Sequence, residues 1–246
     1  MSLKITCSLD RKIWDLRQES GKCIKTLSPQ SASSISGFIS GITSDTHIND
    51  LRISSTATSL YAAMGNTVRI WDLKTYSMTG KLGGHSGPIM SVLERRRDND
   101  TLVFTGSRDH YVKTFKPSVC NLQYPKYKLE PPHYDGVQCL SIRGTALFSG
   151  SRDNSIKKWD YTTHQLQQHL IGAHTDWICA LDFLPKTNVL LSGCRRGVLK
   201  LWQADTCQQI CCKTLLRKVE ALSTSCNKAL QAATRNVLRD KLRERW

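Results

Sequence analysis

The 246-residue chain carries 35 Lys and Arg against 20 Asp and Glu, so its formal net charge at pH 7 is +15. A basic balance of this size favours acidic partners, which include nucleic acid, anionic lipid and acidic protein segments. No stretch comes close to the roughly eighteen consecutive apolar residues that a spanning helix needs, so we expect no membrane insertion. Only 7% of the residues are aromatic and no stacking motif alternates with the basic residues, which argues against nucleic acid.

One phrase recurs along the chain. It reads LVFTGSRDHYVKTF at 102–115, LFSGSRDNSIKKWD at 147–160 and VLLSGCRRGVLKLW at 189–202. Each copy is an apolar run, a polar tetrapeptide and a second run in which apolar and basic residues alternate, a pattern that predicts strand, tight turn and strand. The aromatic residues that close the repeats lie 57, 44, 44 and 43 residues apart, and they are Trp14, Trp71, Phe115, Trp159 and Trp202.

This period, with a closing Trp-Asp and a Gly-His before the next unit, is typical of the WD40 family, in which each repeat forms one four-stranded blade of a β-propeller. The resemblance predicts an all-β domain at residues 1–212. The opening repeat holds only the last two strands of a blade, so we expect an incomplete propeller of one half-blade and four blades. The five predicted repeats are residues 4–34, 35–83, 84–130, 131–172 and 173–212.

WD40 blades are often braced by hydrogen bonds that join a His, a Ser or Thr, an Asp and the Trp indole, whose buried N–H needs a partner. The third repeat ends in Phe115, which has no donor. The fourth repeat holds the whole set, with either Ser149 or Ser151 as its hydroxyl, and the fifth has Arg196 where the carboxylate belongs. The predicted bracing residues are His85, Thr105, Asp109, His133, Ser149, Asp153, Trp159, His174, Ser192 and Trp202.

The sequence predicts neither a catalytic site nor a cofactor. The histidines and acids stand at bracing or turn positions, where Asp side chains bond to nearby backbone groups. A G-x-x-x-x-G-K-[ST] phosphate loop is absent, so we expect no ATP hydrolysis by this chain. Cys207, Cys211 and Cys212 lack the paired spacing of a zinc site, and we expect reduced thiols and no bound metal.

Four arginines occupy the turn between the second and third strands of three successive repeats: Arg108, Arg152, Arg195 and Arg196. In WD40 proteins this turn opens on the face where partners commonly bind. We expect the four side chains to share one rim and to attract an acidic protein segment, with more effect on the association rate than on affinity. The alternative is that each arginine is an isolated, solvated surface residue.

The pattern changes after residue 212. Residues 213–246 hold nine basic and three acidic residues, and apolar or small residues recur in steps of four and three, as at Leu215, Val219 and Leu222. This spacing is helical rather than β. Two interpretations remain open: an amphipathic helix that docks on a partner or on the propeller edge, or a splice or frame product without selected structure. We therefore predict a basic tail that is helical or disordered.

Three stretches resemble the C-terminal WD40 domain of kinesin-4 family motors of the kinesin-21 type. They are RIWDLKTYSMTGKLGGHSGPIM (69–90), EPPHYDGVQCLSIRGTALFSGSRDNSIKKWD (130–160) and AHTDWICALDFLPKTNVLLSGCRRGVLKLW (173–202). The resemblance implies blades two to six of a seven-bladed ring, with the motor ATPase elsewhere in the longer protein. It also implies a cytoplasmic, cytoskeleton-associated interaction platform that regulates microtubule growth and binds tubulin tails, microtubules, or cargo and adaptor proteins.

A second interpretation comes from IWDLR at 13–17, which matches the W-D-x-R ending that WD40 substrate receptors of cullin-type ubiquitin ligases present to their adaptor. So short a motif arises readily in any WD40 protein. The ubiquitin-ligase receptor is therefore kept as the alternative function.

Overall fold

A computed structural model describes residues 48–97, 100–117 and 124–214 in full, together with the backbone of the strands at 3–5, 12–15 and 22–26. Every helix or strand assigned in this part of the chain is a β-strand, so the all-β prediction is confirmed. None of the described segments forms a helix with the length and apolar character needed to cross a bilayer.

Four antiparallel sheets of four strands follow one another along the chain, each with its strands in sequence order. Blade A consists of β4 (Ile48–Ile53), β5 (Ser59–Met64), β6 (Thr67–Asp72) and β7 (Met78–Leu82). Blade B consists of β8 (Ile89–Arg97), β9 (Asp100–Ser107), β10 (Val112–Phe115) and β11 (Tyr127–Lys128). Blade C consists of β12 (Val137–Arg143), β13 (Ala146–Ser151), β14 (Ile156–Asp160) and β15 (Gln165–Leu170). Blade D consists of β16 (Ile178–Phe183), β17 (Val189–Cys194), β18 (Val198–Gln203) and β19 (Gln209–Thr214).

A three-stranded sheet precedes blade A, with β1 (Leu3–Ile5), β2 (Lys12–Asp15) and β3 (Lys22–Thr26) in that order. The prediction of two strands here is wrong, because β1 pairs antiparallel with β2, Leu3 opposite Asp15 and Ile5 opposite Ile13. Three alternating residues are too short a run to stand out in the sequence. At the other end, β19 continues past the predicted boundary at residue 212, because Thr214 pairs with Val198.

The first strands of the blades, β4, β8, β12 and β16, lie next to one another. Each of them carries a register shift near its start, as between Val137 and Cys139 in β12 and between Ile178 and Ala180 in β16. Such a bulge adds local twist and bends the strand. The repeated bulge therefore gives the four blades the same inner geometry.

The hydrophobic core lies between successive blades. On β9, Val103 packs with Tyr61 of blade A, whereas its neighbour Phe104 packs with Leu147 and Trp159 of blade C. Because successive side chains of a strand point to opposite faces, each sheet packs between its two neighbours. Trp159, the closing residue of the fourth repeat, is 1% exposed in this interface.

Candidate protein-interaction site

The fourth repeat, now blade C, contains a continuous chain of hydrogen bonds. The Trp159 indole N–H donates to Ser149 Oγ at 2.9 Å, and the Ser149 hydroxyl lies 2.7 Å from His133 Nε2. The other ring nitrogen, His133 Nδ1, lies 2.9 Å from Asp153 Oδ2. Since the carboxylate only accepts, Nδ1 carries the hydrogen and Nε2 accepts from Ser149. Both nitrogens of the ring are therefore engaged.

Burial and charge fix the protonation state of this chain of bonds. Burial lowers the pKa of His133 even though Asp153 opposes the shift. Burial alone would raise the pKa of Asp153, but the hydrogen bond from His133 and those from Ser155 hold it below its usual value. The ring is thus neutral and the carboxylate ionised near pH 7. The second candidate hydroxyl, Ser151, is bonded instead to the carbonyls of Asp135 and Gly136.

Blade B has the same arrangement without the indole. His85 Nδ1 lies 2.7 Å from Asp109 Oδ2, and His85 Nε2 lies 2.7 Å from Thr105 Oγ1. Phe115 fills the aromatic position with no donor, as the sequence indicates. A buried ammonium joins this cluster, because Lys113 Nζ lies 3.3 Å from Asp109 Oδ2. Burial is also the main reason that the pKa of His85 is lowered.

Blade D lacks the carboxylate end of the chain. The Trp202 indole donates to Ser192 Oγ at 2.7 Å, and Ser192 Oγ lies 2.6 Å from His174 Nε2. His174 Nδ1 is buried without a hydrogen-bond partner. Arg196, at the position of the missing Asp, points outward with a 70% exposed side chain and pairs with Asp176 at 3.8 Å. Burial lowers the pKa of His174 to about 4.

Three lysines that the sequence analysis did not select tie each third strand to the loop before the bracing histidine. Lys113 Nζ donates to Gly84 O at 2.6 Å, and Lys200 Nζ donates to Ala173 O at 2.7 Å. Lys157, which is 1% exposed, donates to Pro132 O at 2.7 Å. The sequence pattern that could have identified them is a basic residue two positions before the closing aromatic residue of each repeat. Part of the net positive charge is therefore held inside the blades.

The arginines of three successive turns occupy equivalent positions on one edge of the blades. The backbone amides of Arg108, Arg152 and Arg195 each donate to the carbonyl directly before the first strand of blade B, C or D. The acceptors are Pro88 (2.9 Å), Gly136 (3.0 Å) and Trp177 (2.9 Å). We call Arg108, Arg152, Arg195 and Arg196 the turn rim.

The turn rim concentrates positive charge. Burial lowers the pKa of Arg152, the nearby charge of Arg108 lowers it further, and Asp135 opposes the shift more than Arg195 adds to it. None of the ion pairs among the described residues involves Arg108, Arg152 or Arg195. Two of the guanidinium groups instead lie against the Trp177 ring, which sequence analysis missed. Their Cζ atoms are 4.2 Å (Arg152) and 4.8 Å (Arg195) from the ring centroid.

The remaining predicted positions are partly outside the described residues. The thiols of Cys207, Cys211 and Cys212 are free, and the part of the chain that the structure describes contains no cluster of metal-ligating side chains. Arg17 of the IWDLR motif and residues 215–246 of the predicted tail lie outside the described ranges.

A family model described as "WD domain, G-beta repeat" matches residues 21–72, 76–116, 124–160 and 165–203. The chain belongs to the WD40 family. A solved chain in "Crystal Structure of Mitotic Checkpoint Complex" superposes with a TM-score of 0.69 at 19% identity, over 86% of this chain and 60% of that chain. This likeness supports the fold alone.

The predicted resemblance to the WD40 domains of kinesins is confirmed by kinesin-like proteins, whose sequence identity to this chain is higher than that of the solved structure. The chain is 47% identical over 206 residues to human "Kinesin-like protein KIF21A" and 48% identical over 207 residues to human "Kinesin-like protein KIF21B". Each alignment covers 79% of this chain and 12% of the relative. "Kinesin-like protein klp-12" of Caenorhabditis elegans is 28% identical over 170 residues, covering 66% of this chain and 11% of that protein. The chain thus spans a small part of the length of these relatives.

Proposed function

We propose that this WD40 interaction domain binds acidic protein segments through the turn rim, and that the acidic tubulin tails on microtubules are its partner. One observation carries the proposal: Arg108, Arg152 and Arg195 stand at equivalent positions on one edge, and no described carboxylate pairs with them. The similarity to kinesin-like proteins favours tubulin among acidic partners. In this role the domain acts in the cytoplasm, on the cytoskeleton, and contributes to the control of microtubule growth.

The physical basis is electrostatic complementarity. Unpaired cations on one edge attract an acidic segment over about a Debye length, roughly 8–10 Å at physiological salt. Such attraction raises the association rate and suppresses wrong partners more than it raises affinity. An acidic segment of a cargo or adaptor protein fits the same edge by the same chemistry.

The proposal assigns the buried histidines and aspartates to structure rather than to catalysis. In blade C both ring nitrogens of His133 are bonded, and Asp153 accepts from His133, Tyr134 and Ser155. Among the described residues of this hydrogen-bond chain, the His133 and Asp153 acceptors are already engaged, so neither is free to take a proton from a water or a nucleophile. A steady hydrolase activity of the purified chain, lost on mutation of one of its residues, would contradict this assignment.

Co-sedimentation with microtubules tests the proposal, before and after proteolytic removal of the acidic tubulin tails. We expect weak binding that decreases with added salt and with tail removal, because both remove the charge attraction. Folding of each preparation is checked by circular dichroism. Binding that persists unchanged on tail-less microtubules would exclude the tubulin tails as the partner and leave cargo or adaptor proteins.

A further inference from the structure

We propose that Trp177, with Arg152 and Arg195 against its ring, anchors the turn rim and selects an extended acidic peptide with carboxylates at alternate positions. This inference rests on the proposed function, because it specifies how the rim recognises an acidic segment. Attraction by net charge alone would not depend on Trp177. The proposal therefore makes a separate claim about this one ring and the two arginines stacked on it.

The stack is built from two blades. Trp177 directly precedes β16 of blade D and is half-buried, and its carbonyl accepts the Arg195 amide at 2.9 Å. Arg152 belongs to the turn of blade C, and its Cζ lies 4.2 Å from the centroid of the Trp177 ring. Cations over the face of a tryptophan are stabilised by the ring quadrupole, which offsets part of their mutual repulsion. The ring therefore holds two like charges in fixed places.

The held guanidinium groups retain unused hydrogen-bond donors. No side-chain hydrogen bond or ion pair joins Arg152 or Arg195 to another described residue, and because Arg152 Nε is buried, a ligand must bind the terminal Nη groups of that side chain. A guanidinium has five N–H donors in a planar fork that matches the two oxygens of a carboxylate. Because the stack already restricts the side chain, a bound carboxylate causes little further loss of conformational freedom. Carboxylates are thus the ligand groups that best match the unused hydrogen-bond donors of these two arginines.

The spacing of the two cations favours an extended peptide. Both Cζ distances are measured to the same centroid, so the two Cζ atoms are no farther apart than the sum of those distances. In an extended chain, side chains at alternate positions point the same way and are about 7 Å apart. This spacing falls within that upper limit, so a Glu-x-Glu segment is the acidic pattern that we propose for the two arginines.

The equivalent position of blade B lacks this anchor. Gly136, directly before β12 of blade C, stands where blade D has Trp177, so Arg108 of the blade B turn has no ring to stack on, and a Cβ at Gly136 would make a tight contact of 3.0 Å with Arg108 Cα. Arg108 consequently adds positive charge without a ring to hold it. Arg196, the neighbour of Arg195, is paired with Asp176 and contacts no described ring.

The test measures binding of the full chain to a fluorescently labelled peptide in which glutamate and glycine alternate. We expect Trp177→Ala to weaken binding about tenfold, the loss of one held charge-assisted contact, with Trp177→Phe in between because phenylalanine binds cations less well. Tyr134→Ala is the matched control, because Tyr134 lies in the equivalent loop of blade C, is 83% exposed and stacks on no described arginine.

A second pair of variants holds the charge change constant. Arg195→Gln and Arg196→Gln remove one charge from adjacent residues of the same turn, and we expect the former to weaken binding several-fold more. Equal losses from both, or equal effects of Trp177→Ala and Tyr134→Ala, would overturn the anchor.

A peptide of the same composition with contiguous glutamates should bind less well, and equal binding would overturn the alternate spacing. Arg108→Glu with Arg152→Glu tests the rim itself: if it leaves binding intact, the proposed function fails as well.

Discussion

Three buried histidines, His85, His133 and His174, occupy equivalent positions but have different partners. The first two bond to a carboxylate through Nδ1, and the third does not. Their sequence context revealed this difference, because the Asp of the turn is replaced by Arg196 in blade D. The choice between Ser149 and Ser151 could not be made from sequence, since residues two apart on a strand face the same side.

Asp153→Ala should destabilise the protein by about 1–3 kcal/mol, because it leaves buried donors without an acceptor. The stranded groups are His133 Nδ1–H together with the amide and hydroxyl of Ser155, and the more exposed Tyr134 amide also loses its acceptor. Urea denaturation measures the free energy of unfolding. Asp205→Ala, at an exposed turn, is the control and should change it by only a few tenths of a kcal/mol. Equal effects of the two substitutions would show that the hydrogen-bond chain contributes nothing.

Arg196→Asp should stabilise the protein by about 1 kcal/mol, because it supplies the acceptor that His174 Nδ1 lacks. The turn already has the required shape, since Gly197 has φ +81°, close to the +66° of Asn154 after Asp153. The exposed ion pair between Arg196 and Asp176 is a small loss. Arg195→Asp makes the same charge change one residue away and should not stabilise.

The same substitution should reduce acid sensitivity. His174 has a pKa of about 4 in the fold against 6.5 unperturbed, so the unfolded chain takes up the proton first as the pH falls. Stability is complete above 6.5 and decreases toward 4, by on the order of 3 kcal/mol from this group. A carboxylate at position 196 raises the His174 pKa and lessens that decrease. Urea unfolding at neutral and mildly acidic pH measures it, and an unchanged pH slope would contradict the missing-acceptor explanation.

The blades show which features of an element the sequence reveals. Alternating apolar and basic residues predicted strands such as β14 and β18, and the polar tetrapeptides predicted their turns. The same alternation concealed Lys113 and Lys157, because a basic residue in a strand normally faces solvent, and only the loop carbonyls beside them explain their burial. Trp177 was missed for a similar reason, since its role depends on an arginine from the preceding blade.

A glycine of strand β13 lies close to blade D. A Cβ on Gly150 would lie 2.7 Å from Ile178 Cγ2 and 2.8 Å from Cys139 Sγ. Gly150→Ala should therefore cost about 1–3 kcal/mol through overpacking. In an Ile178→Ala background the cost should decrease by about 1 kcal/mol, because the clashing methyl is gone. A double-mutant cycle by urea denaturation measures this coupling, and additive costs would show that the two blades are not in contact here.

Across the whole molecule, three places carry part of the net charge of +15 and differ in their exposure or surroundings. Some of it lies inside the blades on lysines such as Lys157, some on the turn rim, and some in residues 213–246, which hold nine basic and three acidic residues. If attraction to an acidic partner depended on total charge, equal charge changes at any exposed place would have equal effects. If the turn rim binds the partner, the position of a charge change affects binding more than the number of charges changed.

The microtubule affinity of two double variants with the same charge change distinguishes these possibilities directly. One is Arg108→Glu with Arg152→Glu on the turn rim, and the other is Lys218→Glu with Lys228→Glu in residues 213–246. We expect the rim variant to lose about tenfold in affinity and the other only a few-fold, since charges in direct contact with a partner contribute more than charges that act on it through screening solvent. Equal losses, or a larger loss from the lysine variant, would contradict the central claim that the turn rim is the binding surface.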